Sequence, residues 1–233
     1  MIAAVLLAVG AVAAWAWPGS GEKPALGLFT SLPIYWSESV SVSEALEGDG
    51  DQHWARGAWE EDHRLIPVDT LEPESLKPLT RLVMAQPRPL APAENVALDA
   101  WVRGGGRLLL FADPLLTEHS RFALGDKRRP QDVVLLSPIL TRWGLQLSFD
   151  DEQGEGERTM RYGAITLPER LAGRLRTVAP GAPARCTIAA GGLVAECAIG
   201  KGRATVVADA ALLESERDAA APLRALTARA LAD

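Results

Sequence analysis

The sequence predicts an α/β domain with a mainly parallel sheet and a late antiparallel addition. Three observations carry this. A helix-length stretch stops at Gly104-Gly105-Gly106 and runs straight into Arg107 to Ala112 (RLLLFA), a continuous apolar run of strand length. Such runs suit strands covered on both faces, as in parallel sheets flanked by helices. The same pattern returns later, where Gly202-Arg203 leads after four residues into Ala208-Asp209, as Gly106-Arg107 leads into Ala112-Asp113. Between them, Gly191-Gly192 sits in a hairpin over Cys186 to Ala198.

Taken in order, residues 1–17 stand apart. Ile2 to Trp17 carries no charge, and sixteen helical residues span about 24 Å, slightly less than the ~30 Å hydrocarbon core. Trp15 and Trp17 stand where interfacial aromatics are found. A transmembrane anchor is expected, with a signal peptide cleaved near Ala11-Val12-Ala13 as the alternative. Either places an α/β domain over 25–233 outside the inner membrane, in the bacterial periplasm, after a Pro/Gly linker at 18–24.

Leu26 to Thr30 reads as a first buried strand, and Ser31-Leu32-Pro33-Ile34-Tyr35-Trp36 follows it. Val42 to Leu46 reads as a brief helix, Gly48 to Asp62 as an acidic surface loop, and Arg64 to Val68 and Arg81 to Met84 as short strands. Pro92 suits a first helical turn, and Val96, Leu98, Trp101 and Val102 recur at roughly helical spacing before the glycine stop. Val133 to Trp143 reads as a helix ending at Gly144, Leu145 to Phe149 as a strand, and Arg158 to Val178 as β or irregular. Ala219 to Ala232 is a closing amphipathic helix.

Composition excludes some function classes. The formal charge is −6, so there is no counterion-release attraction for nucleic acid. Lys127-Arg128-Arg129 reads as a solvated turn. No dinucleotide fingerprint or nucleophile elbow is present. Gly200-Lys201-Gly202 lacks the upstream glycine and the following Ser/Thr of a phosphate loop. His53, His63 and His119 are scattered, and the carboxylates of Glu60-Glu61-Asp62 are expected to point apart, so neither a metal nor a cofactor is expected. No catalytic residue is assigned.

Three groups remain as candidates. Asp113 and Asp209 end parallel strands, where α/β sheets bind ligands, with Thr30-Ser31 leaving the first strand at the same edge. Either these aspartates form a small polar site, or each caps the turn or helix after it, with Pro114 as a first helical residue. Ser31, Tyr35 and Trp36 belong to a stiff amphipathic loop that suits binding or packing under the sheet edge. Counting outward from Gly191-Gly192 puts Cys186 opposite Cys197 as a hydrogen-bonded pair, with Cα atoms about 5.5 Å apart. That arrangement gives a cross-strand disulfide or two small residues on one strand face.

Residues Leu98-Asp99-Ala100-Trp101-Val102-Arg103-Gly104-Gly105-Gly106-Arg107-Leu108-Leu109-Leu110-Phe111-Ala112-Asp113-Pro114 resemble the helix–GG–strand–Asp-Pro block of GldG-like proteins. These are auxiliary components of uncharacterised ABC transport systems. Gly200-Lys201-Gly202-Arg203 with Val206-Val207-Ala208-Asp209 looks like their later strand, and related exported domains share a glutamine-amidotransferase-like fold. The resemblance implies a flavodoxin-like sheet, an ABC permease or other membrane protein as partner, and no enzymatic activity. Enzymes of that fold carry a catalytic cysteine at a strand-to-helix turn, where neither Cys186 nor Cys197 stands. A hydrolase or transferase using Asp113, Asp209 and Ser31, and a purely structural envelope domain, are the competing expectations.

Overall fold

The computed structural model describes residues 22–38, 52–178, 183–214 and 219–233. The expected anchor at 1–17, most of the linker, the brief helix at Val42 to Leu46 and residues 48–51 lie outside the described residues. Among the described residues, no helix is long and apolar enough to cross a membrane.

Seven strands form the central sheet: β1 (Ala25–Thr30), β2 (Arg64–Pro67), β3 (Arg81–Ala85), β4 (Arg107–Phe111), β9 (Ala184–Ala189), β10 (Val194–Ile199) and β11 (Gly202–Val207). Their order is β2-β1-β3-β4-β11-β10-β9. Neighbours from β2 to β11 are parallel, and β10 and β9 add on antiparallel. The domain is thus a mixed α/β fold with a mainly parallel sheet and a late antiparallel hairpin. The order turns back between β1 and β3, a topological switch point.

Strand alternation supplies two cores. On one face Leu26, Leu28, Val83, Ala85, Leu109 and Phe111 pack under α1 (Trp54–Glu60), α5 (Ala211–Glu214) and α6 (Ala220–Ala230). On the other, Leu82, Met84, Leu108, Leu110 and Val206 pack under α2 (Pro73–Leu76), α3 (Pro92–Gly104) and α4 (Ser137–Arg142). Burying both faces explains why these strands read as unbroken apolar runs.

The glycines of the repeated Gly-Arg pattern have a packing reason. A Cβ on Gly202 would stand 2.0 Å from the Val102 carbonyl oxygen and 2.4 Å from that of Gly106. The chain therefore enters β11 pressed against the end of α3, at a distance only glycine permits.

Several expectations are corrected. The loop expected over Gly48 to Asp62 contains α1, because Ala55, Ala58 and Trp59 recur at helical spacing and are buried. The His53 Nδ1 caps this helix by accepting the Ala55 N–H at 3.2 Å. The helix expected from Val133 starts only at Ser137, since Pro138 is confined to a first turn. Strand β5 (Leu145–Ser148) does not join the main sheet but pairs with β8 (Arg174–Thr177), while β6 (Arg158–Tyr162) pairs with β7 (Ile165–Glu169). The region expected as β or irregular, 158–178, is indeed β: it forms the β6–β7 ribbon against one core and supplies β8 to the ribbon against the other.

In the late hairpin Cys186 faces Cys197, and the two form a disulfide. Their Cα atoms are 4.0 Å apart, closer to the ~4.5 Å of a non-hydrogen-bonded pair than to the expected spacing. The turn is not a simple two-residue one. Ala190, Gly191 and Gly192 all have positive φ, and pairing starts at Ala189 with Val194.

Candidate functional site

Each inner parallel strand leads to a polar residue at the same edge: Thr30 at the end of β1 and Ser31 after it, Gln86 after β3, Asp113 after β4, and Asp209 after β11. The register sets their spacing. Arg107 lies beside Arg203 and Phe111 beside Val207, so two residues further on Asp113 comes level with Asp209.

The two carboxyls are almost sealed, at 1 % and 2 % exposure. Asp113 accepts the Leu115 N–H through Oδ1 at 2.8 Å and the Ala210 N–H through Oδ2 at 3.0 Å. Asp209 accepts the Ala211 N–H through Oδ1 at 2.7 Å and the Arg170 N–H through Oδ2 at 2.8 Å. Each therefore closes a turn onto the N–H two residues ahead and ties in a second segment, the motif of an Asx turn. The chain after Asp113 bends without starting a helix, so Pro114 is not a first helical residue as one expectation had it.

Lying level on neighbouring strands, the two carboxyls act on each other's ionisation. Burial pushes Asp113 up to about 7, against the lowering effect of the Leu115 and Ala210 N–H groups. Burial and the Asp113 charge push Asp209 up to about 8. Glu214 on α5 adds negative potential to both. It accepts the Thr117 N–H at 3.3 Å and the Thr117 hydroxyl proton, and lies 3.8 Å from the Arg170 guanidinium.

Gln86 was not singled out in the sequence, yet it joins the aspartates to Ser31. It is 0 % exposed and sits at φ 42°, a left-handed conformation uncommon outside glycine. Its Oε1 accepts the Asp113 N–H at 2.9 Å, and its Nε2 donates to the carbonyls of Asp113 at 3.0 Å and Gln131 at 2.8 Å. Ser31 Oγ donates to the Gln86 carbonyl and accepts the Gln131 N–H at 2.9 Å. The available signal was a polar residue directly after an apolar strand, the feature that marked Asp113 and Asp209.

Ser31, Tyr35 and Trp36 do come together. With Thr30, Glu38, Phe122 and Arg128 they line a pocket of about 360 Å³ beside the switch point; Asp113 and Asp209 do not line it. Tyr35 and Trp36 meet edge to face, with ring centroids 4.9 Å apart. The Arg56 guanidinium covers the Tyr35 ring at 4.3 Å, while Trp36 is 71 % exposed. Glu38 is held by the Ser120 hydroxyl at 2.6 Å and the Arg121 N–H at 2.9 Å. Arg128 lies 4.2 Å over Phe122 and pairs with Asp126 at 2.7 Å, so that part of the basic turn is stacked and paired. Glu38 and Phe122 lie in loops without periodicity, and nothing in their local sequence marks them, whereas Arg128 belongs to the basic turn read as solvated.

Among the described residues, no group of three His, Cys, Asp or Glu side chains could hold a metal ion. The geometry thus offers a sealed carboxyl pair and, separately, an open aromatic pocket. It does not bring Ser31, Asp113 and Asp209 into one cleft.

No protein-family model matches the chain, and no curated protein matches it in sequence. Solved structures do match. An exo-β-1,4-mannosidase from Opitutaceae bacterium strain TAV5 is 15 % identical with a TM-score of 0.51, over 90 % of this chain and 36 % of the mannosidase. A β-galactosidase from Rahnella sp. R3 is 13 % identical with a TM-score of 0.51, over 89 % of this chain and 31 % of the galactosidase. The chain spans about a third of the length of these two enzymes, and at such identities the likeness is one of fold alone.

Proposed function

We propose that this chain is a non-enzymatic, membrane-anchored periplasmic accessory or binding subunit of an ABC-type transport or envelope system. The pocket at the switch point is its contact face. One observation carries the reading: the aspartates best placed for chemistry are sealed and hold backbone N–H groups, while Trp36, beside Tyr35, stands exposed at the open pocket. Exposed aromatics beside a few fixed polar groups are characteristic of binding surfaces. The strand order β2-β1-β3-β4-β11 is that of flavodoxin-like sheets, which supports the GldG-like resemblance of residues 98–114. The uncharged stretch at 2–17 supports an anchor.

The test is a photo-crosslinker at Trp36 in the full chain, produced in its own membranes, with Val96 on α3 as an equally exposed control. The expected result is a chain that resists alkaline extraction and crosslinks from position 36 to a permease or its ATPase complex. Release by extraction, or position 36 crosslinking no more than position 96, overturns the proposal.

A second reading, a hydrolase or transferase, has one observation in its favour. Two adjacent carboxyls with raised pKa values are equipment for acid–base work. Turnover of a small-molecule ester or glycoside, lost in a folded Asp209→Asn variant, would establish it.

A further inference from the structure

Three carboxyls, Asp113, Asp209 and Glu214, meet where the chain leaves β4, turns after β7 and enters α5. The Glu214 side chain is 5 % exposed, and its guanidinium neighbour, Arg170, is half-exposed and also pairs with Glu157 at 3.0 Å. Further along the same loop, Glu118 is pushed up by burial and by Glu214, with His119, Glu38 and Arg170 also acting on it. The cluster is therefore short of positive charge. Two carboxyls set level by the strand register and sealed from water cannot both ionise cheaply, so one proton stays between them.

What that proton holds is the wall of the pocket. The Asp113 carboxyl, the Thr117–Glu214 bonds and the Gln86–Gln131 bond pin the irregular segment 114–136 to the sheet edge. The same segment carries Phe122 and Arg128 into the pocket.

We propose that Asp113 and Asp209 share one proton and act as a pH-operated latch that keeps the 114–136 segment docked and the Tyr35–Trp36 pocket assembled. Loss of the proton to solvent leaves two buried negative charges side by side, and the segment loosens. The regulatory role rests on the pocket being the contact face; the latch itself does not. The sign follows from the raised values. The folded protein keeps a proton that the unfolded chain, with ordinary aspartates, releases. Stability is therefore fullest below the ordinary aspartate range, falls as pH climbs from that range to about 8, and is flat above.

Two measurements on the full chain test this without any ligand. Carboxyl-carbon NMR of aspartate-labelled protein, assigned with Asp113→Asn and Asp209→Asn, should show two carbons titrating well above the ordinary value of about 3.9. Tryptic cleavage at Lys127 to Arg129, normalised to an unfolded peptide, should rise up to about tenfold per pH unit across the window in the wild type. In Asp209→Asn, where only the burial-raised Asp113 remains to titrate, the rise should be clearly shallower; Asp113→Asn serves if that variant does not fold. Ordinary titration of both carbons, or an equal rise in cleavage in wild type and variant, overturns the latch. The Trp36 crosslink, read at one pH, decides the contact face independently.

Discussion

The two halves of the sheet's C-terminal edge are built from similar strands and end up with opposite characters. Around β4 and β11, the polar residues face inward: Asp113 and Asp209 are sealed, and all four carboxyl oxygens accept backbone N–H groups. Around β1, the loop turns outward and leaves Trp36 71 % exposed over a pocket. Gln86 and Ser31 form the seam between them. Ionisable residues at strand ends therefore do not by themselves mark a site. At this edge the aspartates hold loops, and the exposed side chain beside the pocket is the aromatic Trp36.

Substitutions on the two sides should separate stability from recognition. The largest effect is expected at the seam. Gln86→Ala removes partners from the buried Asp113 N–H and from two carbonyls, and should lower unfolding free energy by about 4 kcal/mol in a urea titration. A loss below about 1 kcal/mol would mean that the edge is not held there. Breaking the disulfide with Cys186→Ser and Cys197→Ser should cost about 3 kcal/mol for a sequence separation of 11 residues. That loss should leave the Trp36 crosslink unchanged, because the hairpin lies on the far side of β11. Ser31→Ala removes one hydroxyl linking the two halves and should cost about 1 kcal/mol. Faster cleavage at Lys127 to Arg129 would accompany it if the seam holds the pocket wall. Trp36→Ala should change stability by less than about 0.5 kcal/mol while abolishing partner capture. Capture that survives it would move the contact face elsewhere.

Much of the sheet was legible because burial on both faces leaves a plain signal. The apolar runs of β1, β3, β4 and β11 could be seen directly, as could α3 with its proline start and glycine stop. The opposition of Cys186 and Cys197 followed from counting out of a glycine turn. Helix α1 was hidden because Gly57 and the surrounding acids outweighed the spacing of Ala55, Ala58 and Trp59. The separate β5–β8 and β6–β7 ribbons were hidden because strand pairing across distant segments leaves no mark on either segment.

At the site, the sequence by itself determined which residue types stand at the strand ends, since periodicity and glycine stops locate those ends to within a residue or two. It marked Ser31, Tyr35, Trp36, Asp113 and Asp209 as candidates but left open which would act together. Only the tertiary structure decided that. Parallel register brings Asp113 level with Asp209, the loop after β4 seals them, and the turn after β1 carries Tyr35 and Trp36 the other way. Register and burial depend on contacts between segments far apart in the chain. Whether a carboxyl becomes a reactive group or a clamp on backbone N–H groups depends on those contacts too.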